Sequence, residues 1–516
     1  MINTELIASL ADRIKHQSEV RGDKVAWWDT RSSVTFRDVK DQTSNFAGNL
    51  QTLGLEPEQC VAIYLPNSVE WVISCLGAVR AGLIAVPISH DATVPEVAYR
   101  LKDSGAGAVV TSPERLELVR KLLDDEHLAL QIIVTGPAPS EGCHSYAGFT
   151  SVSAPSDPRD PVDIDQTAYI VYTSGTTGKA KGVRLTTRSM HWVVAACWAP
   201  IAGLNERDTI LSPLPLFHSY ALNLCVLGVL LTGASEHILE RYSSQDVLKL
   251  LKTGKYTVLP GVPTMFHYIL EAAVAEGGLL LPGVRLCISA GAILPAQLNE
   301  SFEKQLGVKL VDGYGITETS TMVTMNWPTG GRVAGSCGLP LPGVTVRLLC
   351  PSTGKDVDRG QEGELIVRGP NLMVGYHNKP KETAEAVRDG WYHTGDLARS
   401  DENGFITITG RLKELIIRGG QNIAPAEIED AVNKFPSVLD CAAVGVEHQY
   451  LGEVPVVFVV ARPNAVVDAD ALLAHCKDLL SSYKVPAMVH VVESIPRTGS
   501  GKVMRFKLKE LVPSTA

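Results

Sequence analysis

Short apolar segments alternate with helical patterns over the first 150 residues, and this alternation constrains the fold more than any other feature. The segments and patterns in this part fall at 60–64, 68–81, 84–86, 95–103 and 108–111. Such alternation is typical of parallel βαβ units, whose helices cover the faces of a sheet. Further apolar segments recur at 209–213, 256–259, 284–289 and 308–311. We therefore predict an α/β fold in which parallel-rich sheets are flanked by helices.

The pattern changes twice toward the C-terminus. From about residue 342, short strands alternate with turns, as in VTVRLL, GELIVRG and GFITITG, which predicts a β-rich subdomain. Beyond residue 413 the pattern predicts a small α+β unit. Its expected elements are a helix at 425–433, strands at 441–446 and 454–460, a helix at 469–480 and a strand at 488–492. We expect a large N-terminal domain at 1–412, with its β-rich subdomain at about 335–410, and a C-terminal domain at 413–516.

Composition excludes several classes of protein. The 516 residues carry a formal net charge of −9, whereas general binders of nucleic acid or anionic membranes need a surplus of cations. The ten cysteines form no C-x-x-C pair and are expected to be reduced. The N-terminus predicts an amphipathic helix and no signal peptide, and the apolar runs at 71–88 and 224–234 are interrupted or too short to span a membrane. These features predict a soluble cytoplasmic protein.

The strongest local signal is the segment YTSGTTGKAKGV at 172–183, which follows an apolar strand. Glycines and small hydroxyl residues let the backbone approach an anion closely, and two lysines add positive charge. The segment is not a Walker A loop, because Ala180 stands where that pattern requires serine or threonine. We interpret it as a phosphate-binding loop; the alternative is a flexible Ser/Gly turn.

A second glycine-rich segment, DGYGITE at 312–318, follows the strand at 308–311. It places an aromatic ring, a hydroxyl and a carboxylate within seven residues. The ring can stack on a base, and the carboxylate can hold Mg²⁺. Taken alone, the segment could also be a turn between a strand and a loop.

Together, these segments and six others resemble the adenylate-forming superfamily of acyl-CoA synthetases, adenylation domains and luciferases, and most closely its acyl-CoA synthetases. The further segments are LPLFHSYAL at 214–222, SAGAILP at 289–295, GELIVRGPNLMVGYHNKP at 363–380, GWYHTGDL at 390–397, GRLKELIIRGGQNIAPAEIE at 410–429 and PRTGSGKVMR at 496–505. They occur in the family's order and span nearly the whole chain. The resemblance implies an acid–thiol ligase that uses ATP, Mg²⁺ and coenzyme A, and a C-terminal domain that moves during catalysis.

The resemblance also implies roles for individual residues. Tyr314 would pack on adenine, Thr317 would contact the α-phosphate, and Lys502 would bind the acid carboxylate and the phosphate as the adenylate forms. Glu318 and Thr177 would bind the metal. The cofactor-binding set is Thr173, Ser174, Gly175, Thr176, Thr177, Gly178, Lys179, Lys181, Gly291, Ala292, Asp312, Gly313, Tyr314, Gly315, Asp396, Arg411, Gly419 and Gly420. Within it, Asp396 and Arg411 would hold the ribose, and Gly419 and Gly420 would line a tunnel for pantetheine.

His218 occupies the family position beside the acyl pocket and is the remaining catalytic candidate. The expected pocket wall is Phe217, His218, Val262, Thr264, Gly291, Ala292, Gly313, Gly315, Ile316 and Met322. This wall carries no fixed charge, which favours a fatty or aryl acid. Relatives that activate α-amino acids have an aspartate directly after the aromatic residue, whereas His218 follows Phe217 here. That departure argues against an α-amino acid.

Lys413 matches the hinge about which the family's C-terminal domain swings. The main alternative function is an acyl-AMP ligase that loads the phosphopantetheine thiol of an acyl carrier protein. Fatty acyl-AMP ligases often carry an insertion in the β-rich section, and the interval 342–364 leaves no room for one. A luciferase-like oxygenase and a non-catalytic nucleotide-binding regulator stay open, as does a homodimer. A serine hydrolase is disfavoured because the segment at 287–291 lacks the first glycine of G-x-S-x-G.

Overall fold

The protein is described by a computed structural model that covers residues 2–136, 141–173, 180–278, 280–419, 421–498 and 502–512. Its described residues form a mixed α/β fold with four sheets. Two large sheets are mostly parallel, as the alternating pattern predicts, and two smaller sheets lie later in the chain.

The first large sheet supports the central part of the candidate site. In spatial order, its described strands are Leu339–Pro340, Thr324–Met325, Leu310–Tyr314, Leu286–Ser289, Val258–Gly261, Thr209–Ser212, Ser235–Ile238, Val25–Trp28 and Ser33–Thr35. Five neighbouring strands, from Leu310–Tyr314 to Ser235–Ile238 inclusive, run parallel. Their carboxyl ends therefore meet at one edge of the sheet, where ligands of α/β proteins bind.

The second large sheet carries the predicted phosphate-binding loop. In spatial order, its described strands are Gly375–Tyr376, Lys181–Thr186, Thr167–Thr173, Ile84–Pro87, Cys60–Tyr64, Ala106–Thr111, Gln131–Val134 and His144–Ser145. The strands at 167–173 and 181–186 pair antiparallel, so the loop at 174–179, which lies outside the described residues, joins two neighbouring strands.

Helices cover both large sheets. The α-helices among the described residues are Leu10–Arg21, Phe36–Gln51, Val69–Arg80, Val94–Ser104, Pro113–Asp125, Tyr146–Ser151, Thr187–Val193, Ser219–Ala221, Gly228–Thr232, Ser244–Leu251, Pro263–Ala275, Ala296–Leu306, Pro380–Ala386, Pro425–Val432, Ala469–Leu479 and Arg505–Glu510. Capping side chains set the start of several of them. The helix predicted at 68–81 begins at Val69, for example, because the Ser68 hydroxyl accepts a hydrogen bond from the Trp71 amide.

The prediction of one amphipathic helix at the N-terminus is partly wrong. Thr4–Leu6 form a 3₁₀ turn, and the α-helix starts only at Leu10. Ser9 sets this start because its hydroxyl accepts a hydrogen bond of 3.1 Å from the Asp12 amide.

The two most apolar runs belong to the core: the first is a helix followed by the buried strand Ile84–Pro87, and the second is helical. Every residue of the helix Val69–Arg80 except Glu70 is buried. The second run begins within the π-helical segment Leu222–Leu227, which packs against another at Val194–Trp198. In the described part of the chain, no helix combines the length and apolar character needed to cross a bilayer. All ten cysteines are free, as expected, and eight are buried.

The third sheet is the β-rich section. Its strands are Thr345–Leu349, Gly363–Arg368, Trp391–Ser400, Val387–Arg388 and Ile406–Arg411. They pair antiparallel, and the last strand runs directly into the 3₁₀ turn Leu412–Glu414.

The fourth sheet forms the core of the C-terminal unit. Its described strands are Gln421–Ile423, Ile416–Arg418, Gly452–Ala461, Val438–His448 and Met488–Val491. The strands predicted at 441–446 and 454–460 are longer than expected, because their ladder continues without a break into the turn that joins them.

Candidate functional site

The candidate site lies where the large sheets meet the C-terminal unit. A cavity of about 760 Å³ occupies this junction. The sequence-predicted residues that line it are Thr264, Gly291, Ala292, Asp312, Gly313, Tyr314, Gly315, Ile316, Asp396, Arg411 and Lys502. Residues predicted from six separate parts of the chain therefore line one space.

Glycines give the cavity its close backbone walls. A β-carbon on Gly315 would lie 1.8 Å from the Thr321 carbonyl oxygen, so no larger residue fits there without a backbone shift. Gly291 has a φ of +88°, in the left-handed region that favours glycine. Both positions follow carboxyl ends of parallel strands in the first sheet.

Tyr314, Asp396 and Arg411 form one hydrogen-bonded group. The Tyr314 hydroxyl donates to Asp396 Oδ2 over 2.6 Å, and Arg411 Nε lies 2.7 Å from Asp396 Oδ1. Asp396 faces Arg411 because the two are register partners on neighbouring antiparallel strands. The carboxylate raises the pKa of Arg411, and burial raises the pKa of Tyr314. This group offers an aromatic face beside a fixed carboxylate and guanidinium.

Glu318 is positioned by a tyrosine that sequence reasoning missed. The Tyr376 hydroxyl donates to Glu318 Oε1 over 2.9 Å, and the Lys181 ammonium lies 4.7 Å from the centre of the Tyr376 ring. Tyr376 reaches the site because its strand pairs with the strand that begins at Lys181. The nearby Thr317 hydroxyl lies 3.3 Å from the Ser219 hydroxyl. The only sequence signal for Tyr376 is its place in GELIVRGPNLMVGYHNKP, a segment without an assigned role.

The carboxylate of Glu318 fits a magnesium ion bound mainly through substrate phosphates. Mg²⁺ in such sites keeps several waters and uses one or two protein carboxylates. No cluster of three or more histidine, cysteine, aspartate or glutamate residues that could hold a metal occurs among the described residues. Thr177, the second expected metal ligand, lies outside the described residues, with Ser174, Gly175, Thr176, Gly178 and Lys179.

The described flanks of the predicted phosphate-binding loop are anchored by hydrogen bonds. Thr173 ends the strand Thr167–Thr173, and Lys181 begins the next strand. The Tyr99 hydroxyl donates to the Ala180 carbonyl over 2.8 Å, and the Tyr172 hydroxyl donates to Asp103 Oδ2 over 2.8 Å. The described residues on either side of 174–179 are therefore held in place by side-chain hydrogen bonds.

Lys502 faces the cavity from the C-terminal unit. Its backbone is held by Thr498, whose amide donates to the Lys502 carbonyl over 2.8 Å. Burial and the Arg411 guanidinium lower the pKa of Lys502, while Asp396 and Glu318 oppose that shift. The ammonium group thus lies within electrostatic reach of the same residues that surround Tyr314.

His218 is neutral and lies within electrostatic reach of Lys502. Burial and the Lys502 ammonium lower the pKa of His218 to about 3. Its Nδ1 accepts a hydrogen bond of 3.3 Å from the Tyr220 amide, which leaves Nε2 to carry the ring proton. An uncharged imidazole at this point can donate one hydrogen bond to a substrate.

Not every predicted wall residue lines the described cavity. Phe217, His218, Val262 and Met322 are absent from its lining. Met322 is fully buried behind Gly313, where a β-carbon would lie 2.3 Å from the methionine methyl group. Val262 is buried beside Gly291.

The predicted hinge and tunnel residues lie outside the cavity lining. Lys413 is exposed in the 3₁₀ turn between the third and fourth sheets. Gly419 has a φ of +58°, and its amide donates to the Leu451 carbonyl over 2.7 Å. Gly420 lies outside the described residues.

Family models match both parts of this site. The model described as AMP-binding enzyme matches residues 14–377, and the model described as AMP-binding enzyme C-terminal domain matches residues 427–502. The chain belongs to the AMP-binding enzyme family. The predicted membership of the adenylate-forming superfamily is therefore confirmed.

Relatives in this family cover nearly the whole chain. A feruloyl-CoA synthase of an Amycolatopsis species is 33% identical over 93% of this chain and 94% of its own length. A long-chain-fatty-acid–CoA ligase of Yersinia pestis is 33% identical over 99% of this chain and 95% of its own length.

A solved structure agrees with the fold as well. The anthranilate CoA ligase AuaEII in complex with anthranoyl-AMP superposes with a TM-score of 0.91 at 27% identity, covering 99% of this chain and 98% of that one. These comparisons confirm the predicted fold class and the predicted enzyme class, an AMP-forming acyl-CoA synthetase.

Proposed function

We propose that this family member activates a fatty or aryl carboxylic acid as an acyl-AMP, releases pyrophosphate, and transfers the acyl group to the thiol of coenzyme A. The observation that carries the proposal is that Lys502 and the Tyr314–Asp396–Arg411 group face one cavity. A cation, an aromatic face and a ribose-binding pair are the parts that an acid and ATP require together.

Adenylate formation joins two anions, and fixed charges must offset their repulsion. In the proposed pose, Tyr314 packs on adenine, while Asp396 and Arg411 hold the ribose hydroxyls. Lys502 approaches the acid carboxylate and the α-phosphate, and Thr317 contacts that phosphate. The acid carboxylate then attacks the α-phosphorus, and pyrophosphate leaves toward the loop at 173–182.

Glu318 would hold Mg²⁺, which would neutralise negative charge that develops during the transfer. Tyr376 orients the carboxylate through its hydroxyl. Lys181, stacked on the Tyr376 ring, supplies a further cation on the side of the phosphate-binding loop.

The acid class is proposed from the charges at the pocket. His218 is neutral because its pKa is lowered to about 3, and Gly315, Ile316 and Thr264 carry no charge. No fixed anion from these residues faces the place of an α-amino group, so an acid with an apolar tail fits best. The compared relatives named for feruloyl-CoA and for long-chain fatty acids represent both classes of tail.

Thioester formation requires a thiol to reach the acyl carbonyl. We assign this step to a rotation about Lys413 that withdraws Lys502 and brings Gly419 and Gly420 to the cavity. Coenzyme A is favoured over a carrier protein because the interval 342–364 leaves no room for an insertion. It is filled by the strand Thr345–Leu349, short turns and the first residues of the strand Gly363–Arg368. Carrier-protein loading is the alternative acceptor reaction.

A two-way screen tests the proposal. Pyrophosphate release would be measured with fatty, aryl and β-amino acids, each with coenzyme A and with a phosphopantetheinylated carrier protein. We expect release with one class of fatty or aryl acid and thioester formation with coenzyme A. Release without any thioester, or a preference for the carrier protein, would contradict the assigned acceptor.

A further inference from the structure

A second cavity adjoins the base end of the proposed nucleotide site. It has a volume of about 330 Å³, and it shares Asp312 and Gly335 with the larger cavity. We call it the side chamber. Its lining residues are Leu294, Asn299, Glu300, Glu303, Leu310, Asp312, Asn326, Arg332, Val333, Ala334, Gly335 and Ser336. The two cavities therefore lie on either side of Asp312 and Gly335.

The wall between the two cavities carries buried oxygens without partners. Asp312 Oδ1 and Asn326 Oδ1 have no hydrogen-bond partner among the described residues, although both side chains are more than nine-tenths buried. The Asn326 amide nitrogen is already used, since it donates to the Ser336 carbonyl over 2.6 Å and to the Asp312 carbonyl over 3.2 Å. A carboxyl group keeps an acceptor oxygen in either protonation state. Buried acceptors of this kind require a hydrogen-bond donor, which an ordered water or a ligand can supply.

Adenine supplies such a donor at one edge. With the ribose at Asp396 and Arg411 and the ring on Tyr314, the far edge of the base points toward Asp312. The exocyclic N6 amine is the donor of that edge; one of its N–H groups can satisfy one of the two unpartnered oxygens, and the other marks the position of a substituent. A substituent on N6 would then project into the side chamber.

The chamber is large enough and open enough for such a group. A cavity of about 150 Å³ holds a benzene molecule, so about 330 Å³ holds a phenyl ring with room to spare. Glu300, Val333 and Ala334 on its wall are exposed, so the chamber reaches solvent. Hydrogen bonds hold its opposite wall in place. Arg332 Nη2 donates to Glu303 Oε2 over 2.9 Å, and Glu303 Oε1 accepts a hydrogen bond of 2.9 Å from the Leu310 amide.

We infer that the side chamber is a binding site for substituents on N6 of adenine, so that the protein binds N6-substituted adenosine triphosphates nearly as well as ATP. The inference rests on the proposed function, because that function places the adenine. The ribose end differs, because Asp396 is buried and paired with Arg411, and a 3′ substituent would remove a hydroxyl donor that this pair would hold.

Binding calorimetry with magnesium and without acid tests the inference on the full chain. The probes are ATP, N6-benzyl-ATP and 3′-O-benzyl-ATP, which carry the same added group at opposite ends of the nucleoside. We expect the dissociation constant of N6-benzyl-ATP to lie within about tenfold of that of ATP, and that of 3′-O-benzyl-ATP to be at least about 100-fold higher.

Ala334→Trp places an indole at the chamber mouth. It should raise the dissociation constant of N6-benzyl-ATP at least about tenfold and leave that of ATP within about twofold of the wild-type value. Val333→Trp is the second variant, since Val333 is 38% exposed and tolerates a larger side chain. The matched control is Ala147→Trp, at an exposed alanine in the helix Tyr146–Ser151, which should change neither affinity.

Three results would overturn the inference. If ATP binds normally and N6-benzyl-ATP binds more than about 100-fold more weakly than ATP, the base edge of the site is closed. If both tryptophan variants lose affinity for ATP and for N6-benzyl-ATP equally, the substitutions disturb the fold and not a chamber for the substituent. Absence of ATP binding itself would overturn the proposed function and the inference with it, a result that the ATP measurement identifies separately.

Discussion

Arg462 Nη1 lies 2.8 Å from Glu271 Oε1, and this ion pair joins the C-terminal unit to the helix Pro263–Ala275 of the N-terminal part. His267, one turn earlier on that helix, lies 3.5 Å from the same carboxylate. The Pro436 carbonyl holds the arginine, since it accepts from Arg462 Nε over 3.1 Å. The pair therefore fastens the C-terminal unit in the arrangement that directs Lys502 at the cavity.

Breaking this pair should favour the second half-reaction. Arg462→Ala removes one partner, and a partly exposed pair contributes about 1 kcal/mol or less. We expect adenylation to slow by about fivefold or less, while thioester formation from supplied acyl-AMP is unchanged or faster. Separate assays of the two steps check this. Arg347→Ala, which breaks a pair with Asp356 inside the third sheet, is the control and should alter neither step.

Lys502→Ala should abolish the first half-reaction alone. Loss of one fixed charge at a developing anion slows such steps by about 100-fold or more. Pyrophosphate exchange should fall accordingly, and thioester formation from supplied acyl-AMP should stay near the wild-type rate. The exposed Lys507 provides the control variant Lys507→Ala. Equal loss of both steps would contradict the role given to Lys502.

Lys413→Pro should slow the thiol step. Proline fixes φ near about −65°, and a hinge residue must change its dihedral angles when the C-terminal unit rotates. Stopped-flow measurements should show a slower second half-reaction with adenylation retained. Lys413→Ala removes the charge but keeps the backbone freedom, so it should behave like the wild type because Lys413 is exposed. An unchanged thiol step in the proline variant would argue against a hinge here.

The fold was predictable where local pattern decides it. The helix Val69–Arg80 follows from an apolar run with a serine cap, and the parallel strands follow from apolar segments between helices. The N-terminus shows the limit, since Ser9 divides a segment whose amphipathic pattern predicts one helix. Periodicity does not show which of several polar residues will cap.

The site was predictable in its parts but not in its contacts. Asp396 and Arg411 are 15 positions apart in the sequence, and they meet only because a shift in strand register next to Asp396 makes them partners. Tyr376 contacts Glu318, 58 positions away in the sequence, because the strand Gly375–Tyr376 pairs with the strand Lys181–Thr186. Sequence spacing alone does not predict this pairing. The influence of Lys502 on His218 depends on the orientation of the C-terminal unit. Register and orientation are tertiary properties, so motifs indicate the residues and not their distances.

A buried carboxylate away from the site should make stability depend on pH. Glu236 is fully buried in the first sheet, and neither carboxylate oxygen has a hydrogen-bond partner among the described residues. Burial raises its pKa to about 8. The folded protein keeps this proton up to that pH, whereas the unfolded chain loses it near about 4.3. The free energy of unfolding should therefore fall as pH rises from about 4.3 to about 8, by up to about 1.4 kcal/mol per pH unit. Above pH 8 this carboxyl group should cause no further change.

Glu236→Gln removes this titration, so the variant should lose less stability than the wild type between pH 5.5 and pH 7.5, by about 2 kcal/mol. Urea denaturation at both pH values measures the difference. Glu240→Gln, at an exposed carboxylate four residues later, should follow the wild type because Glu240 contacts solvent in the folded protein as it does in the unfolded chain. If the Glu236→Gln and wild-type proteins lost equal stability over this interval, the carboxyl group of Glu236 would have to titrate as it does in the unfolded chain, with water or a shifted side chain satisfying its charge.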